Sequence, residues 1–112
     1  MPMLTFNLPN QELSLDLPSL SQEISAATGI DASRLYLMVR PYAPGQFYLH
    51  GGRGLPLVHI AVRRHNGPET IQKLMLATAE AVAKQVQVRP EDIAVYVHPI
   101  EDGHIFSRGS IL

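Results

Sequence analysis

Hydrophobic and polar residues alternate along several short stretches of the chain, and this period of two is typical of β-strands. In one stretch Leu35, Leu37 and Val39 share a face, while the other face carries cationic and phenolic side chains. The alternation predicts four strands, at Met3–Leu8, Arg34–Arg40, Leu57–Arg63 and Ile93–Val97. We expect Pro41 and Pro99 to end the second and fourth strands, because proline cannot donate a ladder hydrogen bond. Weaker patterns predict short strands at Gln46–Leu49 and around His104–Phe106.

Two longer stretches repeat their apolar residues every three or four positions, which is the spacing of one helix face. The first is predicted to span Pro18–Thr28, with Pro18 in the first turn and Gly29 just past the end. The second begins at Pro68, which suits the first helical position, and Glu69 places a negative charge near the helix N-terminus. Its predicted buried stripe consists of Ile71, Leu74, Met75, Thr78, Val82 and Val86.

The elements run β-α-β and then β-α-β again, and the residues of the two halves also correspond. Residues 30–41 align with residues 88–99 without a gap, so that the apolar positions and the closing prolines coincide. Pro2-Met3-Leu4 likewise aligns with Pro56-Leu57-Val58. We interpret the chain as a single domain, residues 1–112, that contains a duplicated unit with pseudo-repeats at 2–41 and 56–99.

The duplicated order also predicts the layers of the fold. A β-α-β connection between parallel strands is almost always right-handed, so both helices are expected on the same face of the sheet. The predicted fold class is α+β, with a four-stranded mixed sheet and two helices on one face. The opposite face would stay uncovered although its strands carry apolar and aromatic residues, and we expect the bare faces of several copies to associate.

The composition narrows the class of protein. Of the 112 residues 46% are hydrophobic, which argues against disorder. The 9 Lys and Arg residues nearly balance the 10 Asp and Glu residues, so no basic surface for nucleic acid is indicated. The chain has no cysteine, which removes disulfides, thiol nucleophiles and thiolate zinc ligands. Because no signal-peptide pattern and no long apolar run is present, we expect a cytoplasmic protein without membrane contact.

The start of the chain carries the candidate chemistry. Pro2 follows the initiator Met1, and a small second residue normally allows Met1 to be removed, which would leave Pro2 with a free secondary amine. An α-amino group titrates at about 7.7–8.0, and burial or a nearby cation lowers its pKa further. An amine whose pKa lies near the working pH can act as a general base. The alternative is a proline that only starts a strand, where it costs no ladder hydrogen bond.

Other catalytic and metal-binding patterns do not occur in the sequence. The histidines show neither the i,i+2 spacing of a strand pair nor the i,i+4 spacing of a helix pair, and no carboxylate cluster accompanies them. They are His50, His59, His65, His98 and His104. The run Gly51-Gly52-Arg53-Gly54 lacks the Gly-Lys-Ser/Thr ending of a phosphate loop and predicts a tight turn. We therefore expect neither a metal ion nor another cofactor.

Taken together, these features resemble the tautomerase superfamily over nearly the whole chain. The Met-Pro start, the two β-α-β units and the glycine-containing tail are similar to its longer members, such as macrophage migration inhibitory factor and 5-carboxymethyl-2-hydroxymuconate isomerase. Ala27-Thr28-Gly29, Gly51-Gly52 and Pro90-Glu91-Asp92 resemble segments of migration inhibitory factor. Gly103-His104 resembles the half-length 4-oxalocrotonate tautomerase instead.

The resemblance implies a homotrimer with three sites at subunit boundaries. It implies that Pro2 shuttles a proton between carbon and oxygen of a small keto-enol carboxylate without a cofactor. Arginine suits the binding of such a carboxylate, because its planar fork makes two parallel hydrogen bonds. Of four candidate arginines, which include Arg63, we favour Arg34 and Arg64, followed by Arg40. The substrate-binding set that we expect is Arg34, Arg64, Arg40, Tyr36, Tyr96 and Phe106.

Three positions depart from the pattern of migration inhibitory factor. Ile30 stands where that protein has a lysine, and Ala94 and Tyr96 stand where it has a tyrosine and an asparagine. That protein's substrate therefore cannot be carried over to this chain. Two alternatives to a tautomerase stay open. The chain could be a non-catalytic trimeric binding module on the same scaffold, or a hydratase, decarboxylase or dehalogenase that uses the same proline.

Overall fold

The computed structural model of the protein describes residues 2–9, 14–52 and 54–112. The predicted removal of Met1 and the position of Arg53 in the predicted glycine turn lie outside the described residues. So does Asn10, which with Pro9 is expected to close the first strand after Leu8. No helix in the described part of the chain is long and apolar enough to cross a membrane.

Four strands and two helices form the body of the molecule, and the predicted fold class is confirmed. The sheet order is β2-β1-β3-β4, with β1 parallel to β2, β3 parallel to β4, and β1 antiparallel to β3. A separate two-stranded hairpin follows in the tail. The elements are β1 (Met3–Pro9), α1 (Leu17–Thr28), β2 (Tyr36–Tyr42), β3 (Leu57–Arg63), α2 (Pro68–Val86), β4 (Ala94–Ile100), β5 (Phe106–Ser107) and β6 (Ser110–Ile111).

One face of the sheet forms the core with both helices. Alternate residues of the two central strands are fully buried, among them Phe6 of β1 and Ile60 of β3, and they pack with Leu20 and Ile24 of α1 and Leu74 of α2. The other alternate residues lie on the opposite face, which no helix covers and which we call the open face. In strand order from β2 to β4, the open face carries Tyr36, Met38, Arg40, Tyr42, Met3, Thr5, Asn7, Leu57, His59, Ala61, Arg63, Ala94, Tyr96, His98 and Ile100.

The two β-α-β halves have the same internal register. Met3 pairs with Tyr36 at the start of one parallel ladder, and Leu57 pairs with Ala94 at the start of the other. All four strands have seven residues, and three-residue 3-10 turns, Ala32–Arg34 and Pro90–Asp92, precede β2 and β4. Each half therefore presents the same backbone frame to its own side chains.

The helix ends follow the local sequence signals. Gly29 takes a left-handed conformation with φ of 78° and donates its N–H to the carbonyl of Ser25, as its predicted position past the helix end requires. At the other end of α1 the Asp16 side chain accepts the N–H of Ser19 over 3.1 Å. This cap fixes the start of α1 one residue before the predicted Pro18.

The prediction that Pro41 and Pro99 end their strands is wrong. β2 continues to Tyr42 and β4 continues to Ile100. Both are edge strands, and the N–H of Tyr36 points toward β1, since it donates to the carbonyl of Pro2. Successive N–H groups of a strand point to alternate sides, and Pro41 is five residues after Tyr36. The side of Pro41 that lacks an N–H is therefore the outer edge, where no ladder partner exists. The same holds for Pro99, five residues after Ala94.

Of the two weaker strand predictions, the strand at Gln46–Leu49 does not exist, and the strand predicted in the tail has different bounds. Gln46–Leu49 contains no strand, because Pro44–Gln46 forms a 3-10 turn in which the Gln46 side chain accepts the N–H of Ala43 over 2.8 Å. The tail forms its hairpin at Phe106–Ser107 and Ser110–Ile111 rather than a strand at His104–Phe106. The sharp turn between them places Gly109 at φ of 83°, which glycine adopts without strain.

Candidate functional site

Pro2 lies at the head of β1, with its ring fully buried. Its carbonyl accepts the N–H of Tyr36 over 3.0 Å. The next residue, Met3, pairs with Tyr36 on one side and with Ala61 on the other. Pro2 is therefore held between the start of β2 and the end of β3, and we call this part of the sheet the proline end.

Arg34 belongs to the 3-10 turn that leads into β2, two residues before Tyr36. The turn is capped by Asp31, whose side chain accepts the backbone N–H of Ser33 over 2.9 Å. This hydrogen bond, followed by one from the Ser33 hydroxyl and by the charge of Arg34, holds the pKa of Asp31 below its ordinary value. The guanidinium of Arg34 is exposed, and among the described residues it has no hydrogen-bonded or ion-paired partner.

Arg63 and Arg64 follow Ala61 at the end of β3, and both meet acidic residues just beyond β4. Arg64 Nε donates to Oε1 of Glu101, and both side chains are more than half exposed. Arg63 Nη2 donates to Oδ1 of Asp102 over 3.0 Å. Arg63 is the less exposed of the two, at 24%, and its buried Nε has no hydrogen-bond partner among the described residues. Arg63 therefore keeps an unused donor at the proline end.

Arg40 lies at the opposite end of β2 from Tyr36. The two are four positions apart, which corresponds to about 13 Å along a strand. Arg40 lines a cavity of about 380 Å³ on the open face. Within one protomer the structure therefore separates Arg40 from Pro2, although the sequence placed both in one predicted set.

The cavity has a polar floor and one aromatic wall. The floor consists of Thr5 and Asn7 of β1 with Leu57 and His59 of β3, and Asn7 Nδ2 donates to the carbonyl of Leu57 over 3.0 Å. The wall consists of Tyr42, whose ring stacks on Phe47 with centroids 5.2 Å apart. Burial raises the pKa of the Tyr42 phenol, which donates to the carbonyl of Leu55 over 2.7 Å. The cavity is completed by Arg40 and Gln46.

Two histidines meet on the open face beside this cavity. His59 Nδ1 and His98 Nε2 are 3.1 Å apart, and the rings stack with centroids at 5.2 Å. Tyr96 pairs with His59 across the ladder, with ring centroids at 5.8 Å. The described residues contain no group of three or more histidine or carboxylate side chains that could hold a metal ion.

The predicted site residues thus fall into separate places. Arg34, Tyr36 and Arg64 share the proline end with Pro2. Tyr96 lies two strands away from β1 and toward the cavity end, and Phe106 lies in the tail hairpin, where it is 74% exposed. Arg40 lines the cavity.

Two features of these sites escaped the sequence. Arg63 was a lesser candidate than Arg64, although the alternation of β3 places it on the same face as Ala61 and His59. The His59–His98 pair was missed because the search for histidine spacing covered single elements. The register of β3 against β4 is the signal that could have found the pair, since His98 is two residues beyond Tyr96, the partner of His59.

The sequence itself matches no protein-family model, and no curated protein matches it. Solved structures do match. A structure described as the F6 fused 4-OT wild type asymmetric trimer has a TM-score of 0.81 and 16% identity, covering 97% of this chain and 94% of that chain. N1, a member of the cis-3-chloroacrylic acid dehalogenase family, has a TM-score of 0.78 and 14% identity, covering 98% and 82%. Malonate semialdehyde decarboxylase has a TM-score of 0.67 and 22% identity, covering 96% and 92%.

The chain therefore has the fold of these fused 4-OT, cis-3-chloroacrylic acid dehalogenase-family and malonate semialdehyde decarboxylase structures. The proline at the head of β1 and the arginines at the same end of the sheet are the features of the fold that invite a functional proposal. The neighbours include proteins described as a 4-OT, a dehalogenase-family member and a decarboxylase, so the fold by itself is compatible with several reactions.

Proposed function

We propose that the protein is a cofactor-independent keto-enol tautomerase or isomerase that acts on a small 2-keto or 2-hydroxy-enoic carboxylate. Pro2 is the general acid and base in this proposal. The observation that supports it best is the position of Pro2 at the same end of the sheet as Arg34, Arg63 and Arg64. A carboxylate that pairs with such arginines would lie beside the proline.

The proposed reaction needs one group that both accepts and returns a proton. The Pro2 amine accepts the proton of the enol hydroxyl, the C–O bond becomes a carbonyl, and the electrons of the C=C bond move to the adjacent carbon. That carbon then takes the proton back from the protonated proline, so that no atom is gained or lost. In general, burial and a neighbouring cation disfavour the protonated form of an amine, and a base must be unprotonated to act.

The arginines differ in their readiness to bind a substrate. Arg34 has no hydrogen-bonded or ion-paired partner among the described residues, and Arg63 has an unused Nε donor in a buried position. Arg64 is engaged with Glu101, so a substrate carboxylate must compete with that side chain. We propose Arg34 and Arg63 as the main carboxylate-binding groups, with Arg64 contributing once it leaves Glu101. Tyr36 is the phenol on the open face beside them.

The proline mechanism is tested by comparing two proline variants. Pro56 heads β3 as Pro2 heads β1, is buried, and also accepts a backbone N–H through its carbonyl, here that of Ala94 over 3.3 Å. Ketonisation of phenylpyruvate and of 2-hydroxymuconate is measured for wild type, Pro2→Ala and Pro56→Ala. We expect kcat/KM to fall by about 100-fold in Pro2→Ala, in line with the usual size of general acid-base catalysis. Pro56→Ala should keep most of the activity.

Equal rates in wild type and Pro2→Ala would contradict the proline mechanism, whereas equal losses in both variants would indicate damage to the fold. Intact-mass measurement of the expressed protein supplies a second check. If Met1 is retained, the nitrogen of Pro2 is an amide and cannot act as a base, and the proposal fails for that form.

We also propose that the protein is a homotrimer that associates through the open face. Met38 and Tyr96 are 49% and 57% exposed on this face, which neither described helix covers. The fused 4-OT neighbour is described as a trimer. In such an assembly Tyr96 and Phe106 of one copy could join the proline end of another. This arrangement would account for their separation from Pro2 within one protomer.

A second candidate function is a non-catalytic trimeric binding module. Two observations favour it, namely the full burial of the Pro2 ring and the engagement of Arg64 by Glu101. Unchanged, near-background ketonisation in wild type and Pro2→Ala would support this reading. A third candidate is a hydratase or decarboxylase that uses the same proline, as the name of the malonate semialdehyde decarboxylase neighbour suggests. Carbon dioxide release from malonate semialdehyde that depends on Pro2 would favour it.

A further inference from the structure

The cavity at the far end of the open face from Pro2 has its own charge and shape. Among the described residues that line it, Arg40 carries a guanidinium group and none is an Asp or Glu. Among the described residues, Arg40 has no hydrogen-bonded or ion-paired partner. An arginine with free donors at the rim of a cavity is suited to a carboxylate or another planar anion.

A second donor lies beside Arg40. Gln46 Oε1 accepts the N–H of Ala43, so the side-chain amide nitrogen of Gln46 takes no part in that hydrogen bond and can donate to a ligand. Thr5 adds a hydroxyl at the floor. The polar part of the cavity is therefore rich in donors, which favours an acceptor-rich, negatively charged ligand group.

The rest of the cavity lining is a flat, largely apolar surface. Phe47 lies against Tyr42 with an interplanar angle of 20°, and the phenol of Tyr42 is fixed by its hydrogen bond to Leu55. Leu57 extends this surface across the floor. A volume of about 380 Å³ is at the small end of the range of known ligand sites, about 300–1,000 Å³. The occupant must therefore be small and have one flat apolar part.

We propose that this cavity is a binding site for a small aromatic carboxylate, with the carboxylate on Arg40 and Gln46 and the ring against Phe47 and Leu57. The site is separate from Pro2 and does not depend on the tautomerase proposal. The chemistry requires binding only, and no bond of the ligand changes.

The test uses benzoate as the probe and full-length protein. Amide chemical shifts are followed by NMR during titration, and the affinity is measured by calorimetry for wild type, Arg40→Gln and Arg34→Gln. We expect the shifts to cluster at residues 5–7, 40–42 and 46–47. Arg40→Gln should weaken benzoate at least about tenfold, since a charge-assisted pair is lost. Arg34→Gln removes an exposed arginine at the proline end and should leave the shifts at residues 40–42 and 46–47 unchanged.

Two further controls separate charge from shape. Benzyl alcohol has the same ring without the charge and should bind at least about tenfold more weakly than benzoate. Phe47→Ala should weaken benzoate severalfold while the far-ultraviolet circular dichroism stays that of wild type.

Several results would overturn the proposal. They are the absence of saturable benzoate binding at millimolar concentration, equal affinity in Arg40→Gln, and loss of binding in Arg34→Gln or Pro2→Ala instead. The last result would place benzoate at the proline end. If Arg40→Gln changed the oligomeric mass while benzoate still bound equally well, the cavity would be part of the self-association surface. All these outcomes are read from binding, chemical shifts or mass and none from enzyme activity. They can therefore be told apart even if the tautomerase assay shows no activity.

Discussion

The backbone N–H of Tyr36 donates to the carbonyl of Pro2 over 3.0 Å, and this bond fixes the register of β2 against the start of the chain. The same bond occurs between Ala94 and Pro56 in the other half, over 3.3 Å. The two prolines thus have the same backbone surroundings, and their chemistry differs because only Pro2 can become a terminal amine. This relationship makes Pro56 the natural control for any effect of Pro2.

Glu101 is predicted to limit the access of substrate to Arg64. Removing its charge in Glu101→Gln should free the guanidinium, so KM for a 2-keto carboxylate should fall while kcat stays unchanged. An exposed ion pair contributes about 0.2–1 kcal/mol, so the fall should not exceed about fivefold. Steady-state ketonisation kinetics provide the measurement, and Arg64→Gln should raise KM.

Glu23→Gln is the matched control for this prediction, because Glu23 pairs with Lys84 on the helices, away from the open face. If KM responded to neither Glu101→Gln nor Arg64→Gln, the Arg64–Glu101 pair would be a surface ion pair without a role in binding.

Met38 is predicted to lie in the self-association surface. A charge at this position, in Met38→Arg, would have to be buried against another copy without a partner, which costs several kcal/mol per ion. We expect wild type to have three times the chain mass of 12.4 kDa and Met38→Arg to have the mass of one chain. Light scattering after size exclusion measures both.

Leu76 supplies the comparison for Met38. It is 65% exposed on α2, on the side of the sheet opposite the open face. Leu76→Arg should therefore remain trimeric. A monomeric wild type, or dissociation by Leu76→Arg alone, would show that the open face is not the contact surface.

Asp31 is predicted to stabilise the fold in a pH-dependent way. Its folded-state pKa is lowered by the Ser33 backbone hydrogen bond, so its contribution is present above the unfolded pKa of about 3.9 and is lost as the pH falls through the lower folded pKa. The urea midpoint of Asp31→Ala should lie below that of wild type at pH 7. The gap should close as the pH is lowered below about 4.

Asp31→Asn separates the charge from the acceptor oxygen. It keeps an oxygen that can accept the Ser33 N–H, so its midpoint should lie between those of wild type and Asp31→Ala and should lack the same acid dependence. A gap between wild type and Asp31→Ala that stayed constant down to pH 3 would contradict the assigned cause.

The hydrophobic pattern was sufficient for the fold because one period dominates each element. Leu57–Arg63 was predicted with the bounds that the structure has, since its buried and exposed residues alternate without interruption. The second and fourth strands were cut short at Pro41 and Pro99, because the cost of a proline depends on which edge its missing N–H faces. The sequence does not show which strands are at the edge. Gln46–Leu49 was misread because the side chain of Gln46 closes a local turn.

The sequence allowed the residues of the proline end to be proposed, but not the cavity. Pro2 was proposed from the Met-Pro start of the chain, and the arginines from the resemblance to the tautomerase superfamily together with their positions at strand ends. The cavity could not be predicted from the sequence. It depends on the stacking of Phe47 on Tyr42 and on the pairing of β2 with β1, which places Arg40 four positions beyond Tyr36, the partner of Met3.

By itself, the sequence determined the α+β class, the two β-α-β halves and the proline at the head of the first strand, because these depend on periodicity and chain order. Only the tertiary structure decided which arginines are paired, how His59 meets His98 and why Arg40 is separate from Pro2. Those relations depend on strand register and on side chains from distant segments, and local sequence patterns carry neither.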